Sequence, residues 1–145
     1  MKKIVFSFLV TCILATASFA QKSSDTDRIK AATDRMTALY NLTDVQIPQM
    51  QKIQERKYRN LAEIESLKNT DREKYILKLR SIQTGHDGSV DRMLTNEQRE
   101  IFNQKRGENR LMFSVNYKEL KQRGASQEEL DNKIIELELL KLENH

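Results

Sequence analysis

The chain has one cysteine, one proline, four glycines and no tryptophan among its 145 residues. So few glycines and prolines leave little material for tight turns, which a sandwich or barrel of short strands needs in number. Period-two alternation of apolar and polar residues is missing too, so strands are not expected. The single cysteine, Cys12, falls in a stretch built like an export signal. Lys2 and Lys3 open it, residues 4–14 are largely apolar, and the small residues Ser18 and Ala20 precede Gln21. Cleavage after Ala20 is expected, leaving a mature chain outside the cytoplasm with no thiol, disulfide or cysteine metal ligand. Lipid attachment at Cys12 is disfavoured, because Thr11 is bulky for the preceding position and the apolar run before it is short.

Apolar residues are also scarce once the leader is set aside. They make up 41 of the remaining 125 residues, so one thick core is not expected. Charge of one sign is lacking as well: 23 basic and 21 acidic residues leave +2, too little for a nucleic-acid binder. Past the leader, no stretch approaches the roughly 18 apolar residues that span a bilayer.

What is abundant is Lys, Glu, Gln, Arg and Leu, the material of helices, and the fold class expected is all-α. Ile29, Ala32, Met36 and Leu39 form the stripe of a first helix over about residues 25–40. Leu42-Thr43-Asp44-Val45-Gln46 then has the form of a capping box, with Thr43 as cap and Gln46 returning to its backbone. Pro48 removes a helical hydrogen bond and should kink or delay the helix that follows. That helix is expected to run to about Lys68. Thr70 to Glu73 form a second box with Thr70 as cap, opening a helix with Ile76, Leu79 and Ile82 facing inward. Gly85-His86-Asp87-Gly88 reads as a turn or as a weakened but continuous helix, and the unbroken phase of the stripe favours continuity.

Leu94-Thr95-Asn96-Glu97-Gln98 repeats the first motif 52 residues later, with Thr95 as cap. No apolar residue occurs from 103 to 110, and Gly107 sits among them, so a break or an exposed stretch is expected there. Gly124 is placed to end the next segment in a left-handed conformation. Ser126 to Glu129 form another box, starting a last helix to about Leu142. Leu130, Ile134, Ile135, Leu137, Leu139, Leu140 and Leu142 give it an apolar face too broad for one neighbour, so burial in a dimer is expected. The division is thus a signal at 1–20, a helical region at 21–123 and an acidic amphipathic helix at 124–145. From Gln127 on the net charge is −4, against +6 for residues 21–126.

Enzyme chemistry finds no foothold. There is no glycine-rich phosphate loop, no HExxH and no Ser/His/Asp spacing, and His86 is the only interior histidine. No catalytic residue, cofactor or metal site is expected. Two surfaces are candidates for binding instead. Lys52, Arg56, Lys57 and Arg59 form a basic cluster that reads either as a solvated helix face or as a field attracting acidic chains. Leu111, Met112, Phe113 and Tyr117 form an adaptable apolar group, since methionine and aromatic side chains repack around different shapes. Met36, Met50, Met93 and Met112 sit on the inward stripes and read as core fillers, the alternative to an adaptable binding surface at Met112.

The paired L-T-x-x-Q motifs, Leu42, Thr43, Gln46 and Leu94, Thr95, Gln98, in an exported helical chain resemble the Spy/CpxP family of periplasmic proteins. The resemblance covers about residues 39–105. It implies elongated antiparallel helices, four to six in number, in a cradle-like dimer in the periplasm. It also implies ATP-independent chaperone activity on unfolded envelope proteins. Some relatives instead restrain a membrane sensor, and others respond to metal. The six motif residues are read as structural. Pro48, Gly85, Gly88 and the acidic tail depart from the family pattern.

Overall fold

A computed structural model describes residues 25–144, so the leader, its cleavage after Ala20 and Cys12 lie outside the described residues. The described residues are helical, with no strand among them. Helix α1 spans 25–40, α2 Ile47–Ile64, α3 Leu67–Thr70, α4 Arg72–Met93, α5 Asn96–Gln122 and α6 Gln127–Asn144.

Helix α1 ends on Asn41 at φ 49°, a left-handed conformation that asparagine tolerates, with the Leu42 N–H returning to the Thr37 carbonyl. Pro48 delays α2 as expected: Thr43 to Gln46 form a turn, and helical hydrogen bonding begins at Ile47. The first box is therefore half made. The Thr43 N–H donates to Gln46 Oε1 at 3.0 Å, but the Gln46 N–H goes to the Thr43 carbonyl rather than to its hydroxyl.

Helix α2 ends at Ile64, short of Lys68, where residues 65–66 make a turn before the single helical turn of α3. The cap of α4 is Asp71, one residue beyond the expected Thr70. Its carboxylate accepts the Lys74 N–H, whereas the Thr70 hydroxyl is turned back to the Ser66 carbonyl. Helix α4 runs unbroken through Gly85 and Gly88, in keeping with its stripe. Of the two expectations for 103–110, the break does not occur, whereas the exposed stretch largely does, Asn109 being the one buried residue there. Gln104 and Lys105 bond Glu108, Arg106 pairs with Asp87 of α4, and Asn109 is buried, so polar contacts sustain α5 where apolar ones are missing.

Gly124, at φ 72°, terminates α5 with both bonds of a Schellman motif, Gly124 N–H to Lys121 O and Ala125 N–H to Leu120 O. Ser126 and Glu129 then form a reciprocal box for α6. Helix α6 folds back along α5 and lies against α4 as well. Leu130, Ile135, Leu137 and Leu142 are thereby buried within one chain. Two neighbours of the same chain, rather than one, thus bury these four residues, while Ile134, Leu139 and Leu140 of the same face stay partly exposed.

Two core clusters result. One joins Met36, Tyr40, Leu42, Met50, Val90, Leu94 and Phe102, so it holds the leucine of each repeated motif. The other joins Ile64, Tyr75, Ile76 and Leu79 to Ile135 and Leu142 of α6.

Candidate functional site

The two L-T-x-x-Q motifs meet side chain to side chain. Gln46 Nε2 donates to Gln98 Oε1 at 2.8 Å, and Gln98 Nε2 donates to Gln46 Oε1 at 3.1 Å, closing a ring of two amides. Each amide also accepts its own threonine N–H, Thr43 or Thr95, at 3.0 Å. Each spends its remaining N–H on the carbonyl just before the other motif: Gln46 on Met93 O at 2.9 Å, Gln98 on Asn41 O at 3.2 Å. All four amide hydrogens are therefore used in a buried place, which is the condition for such a network to stabilise a fold. Leu42 and Leu94 lie beneath it in the core, while Thr43 and Thr95 are exposed. Arg99 braces the second motif by bonding the Asp91 side chain and the carbonyls of Asp91 and Leu94. The six motif residues thus join α1–α2 to α4–α5, a structural role.

The basic cluster divides. Lys52, Arg56 and Arg59 are exposed, but Lys57 is only 3% accessible and donates to the Leu142 carbonyl at 2.9 Å. Burial, followed by repulsion from Arg35, lowers the Lys57 ammonium from its ordinary 10.5 to about 8. Lysine 57 is thus a fastening between α2 and the end of α6, where a cation also meets the negative pole of the helix.

Lys52 and Arg56 line an open groove of about 340 Å³ between α2 and α4, together with Gln49, Ile53, Ser89, Arg92 and Met93. Arg56 and Arg92 both donate to the Ser89 hydroxyl, which itself donates to the Gly85 carbonyl at 2.7 Å. Ser89 and Arg92 escaped the sequence reading. Their spacing of three on α4, facing two cations spaced four on α2, becomes visible only once the hairpin's register is known.

The apolar group on α5 divides too. Leu111 is 67% exposed, with Val115 one turn on at 53%. Met112, Phe113 and Tyr117 are half-buried. The rings of Phe113 and Tyr117 stack at 6.2 Å, and the Lys141 ammonium of α6 lies 4.3 Å from the centre of Phe113.

His86, the one interior histidine, is buried on α4. Burial lowers its pKa, disfavouring the charged form, with Gln54 Nε2 3.4 Å from its Nε2 and Asp87 Oδ1 3.9 Å from its Nδ1. It packs inside the α2–α4 hairpin rather than in any open groove described here.

No protein-family model, no curated protein and no solved structure matches this chain.

Proposed function

We propose that the chain is a non-enzymatic, exported binding protein of the Spy/CpxP-like kind, which holds unfolded envelope proteins in the periplasm without nucleotide. The observation that carries the reading is the ring of Gln46 and Gln98. Two motifs 52 residues apart are recruited as one unit, as a paired family signature would be. Client chains would be attracted by Lys52, Arg56 and Arg59 and held by Leu111 and Val115, with Met112, Phe113 and Tyr117 extending that surface. Cations give a salt-dependent first encounter, and apolar contact gives holding without sequence preference.

The test is an aggregation assay on two unrelated unfolded proteins without ATP. Suppression of both, weakened by Leu111→Asp together with Val115→Asp in a chain of unchanged melting temperature, is the expected result. Failure on both refutes the reading. A single tight stoichiometric partner in place of broad activity would make the protein a regulator of an envelope sensor instead.

A further inference from the structure

The groove between α2 and α4 differs in charge from the others described on this chain. Carboxylates line the other three: Asp25, Glu65 and Glu143 in one, Asp34 and Glu55 in another, Glu73 and Asp131 in the third. Lys52, Arg56 and Arg92 line this one, with no acid among its residues. Two of these cations, from different helices, converge on one small group. The Arg56 Nη2 and the Arg92 Nη2, the latter at 3.3 Å, both donate to Ser89 Oγ. The hydroxyl proton goes to the Gly85 carbonyl, so Ser89 presents both lone pairs to the guanidinium groups and fixes where they meet. Each guanidinium has five N–H donors in a planar fork, so several remain for a ligand. Like charges held this close repel, and an anion between them turns the repulsion into attraction.

From this we infer that the groove is an oxyanion site whose ligand is a phosphate group. A phosphate monoester carries about −1.5 to −2 charges at neutral pH, a better match to three cations than the single charge of a carboxylate. Its oxygens accept paired N–H donors from a guanidinium fork. Ile53 and Met93 line the same groove, giving an organic substituent on the phosphate an apolar surface to lie against. The source is either a free phosphate compound or the headgroup of phosphatidic acid, a lipid that is itself a phosphate monoester. The inference does not rest on the chaperone reading.

Amide NMR shifts of the full chain, titrated with inorganic phosphate at constant ionic strength, test it. Saturable shifts at Lys52, Arg56, Ser89 and Arg92 are expected. Arg56→Gln and Arg92→Gln should each weaken binding about tenfold, the scale of a lost charged hydrogen bond. Arg92→Lys, which keeps the charge and loses the fork, should fall between. Arg59→Gln, on the same helix but outside the groove, should leave binding unchanged. Flotation with phosphatidic acid vesicles, against phosphatidylcholine, separates the sources, and vesicle binding that is sensitive to Arg56→Gln but not Arg59→Gln assigns the headgroup. Shifts that do not saturate, equal loss in Arg59→Gln, or no binding in either arm would overturn the site. Acetate or an aspartate peptide binding as tightly as phosphate would replace the phosphate assignment with acidic side chains.

Discussion

Two threonines that the sequence presents as equivalent caps are not equivalent. Thr95 Oγ1 accepts the Gln98 N–H at 3.4 Å and completes its box, whereas Thr43 Oγ1 reaches only Gln46 Oε1. Thr95→Ala should therefore cost about 0.5–2 kcal/mol in urea unfolding, and Thr43→Ala clearly less. The glutamines matter more. Gln98→Ala strands the buried Gln46 amide, for which about 1–3 kcal/mol is expected, whereas the Thr95 N–H and the Asn41 carbonyl belong to exposed residues. A double-mutant cycle of Gln46→Ala and Gln98→Ala should give a coupling of about 0.5–3 kcal/mol, and additivity would show that the ring is not formed. Lys57 supplies a pH prediction. Its folded pKa lies near 8, below the ordinary 10.5, so between these values the unfolded chain binds the extra proton. Stability relative to Lys57→Met should rise as pH climbs from 8 towards 10.5, and stay level with pH just below 8. Taking the difference removes the tyrosines, including Tyr40, whose pKa burial raises.

Helices α4 and α5 both run through glycines that could have ended them. At Gly85 and Gly107 an added Cβ meets nothing within 4 Å, so alanine there gains helix propensity without a clash. Each substitution should stabilise by up to about 1 kcal/mol. Gly124 has equal space but φ 72°, so Gly124→Ala should destabilise by about 1–2 kcal/mol. Thermal melts of the three variants check the contrast, and a stabilising Gly124→Ala would deny the left-handed cap. Stripe phase was a better guide than glycine content at 85–88. At 103–110 it had nothing to read, because the contacts that hold α5 there are polar and one of them, Arg106 with Asp87, crosses to another helix.

At the scale of the molecule, α6 closes the second core cluster, so its apolar residues belong to the fold. Leu137 is 2% exposed within one chain. Leu137→Asp should destabilise the protein by about 3 kcal/mol or more, as an unpaired buried charge does, and circular dichroism should register lost helix and an earlier melt. Normal melting with only a change in self-association would return α6 to a subunit interface. The homodimer remains a proposal from the family resemblance. Sedimentation equilibrium at micromolar concentration should give twice the chain mass, and a monomer would remove the cradle arrangement.

The sequence by itself determined the all-helical class, the delay at Pro48, the stop at Gly124 and the caps at Thr95 and Ser126. These depend on neighbours within about two turns or on a regular stripe, and both are written locally. Tertiary structure alone decided that Gln46 bonds Gln98, that Lys57 is buried against Leu142, that Arg56 and Arg92 share Ser89, and that Ile135 and Leu142 of α6 join the α2–α4 core cluster. Each joins residues from different helices, 33 to 85 positions apart for the side-chain contacts. No local pattern encodes such pairs, because the register between helices is set by how their apolar faces fit together in three dimensions.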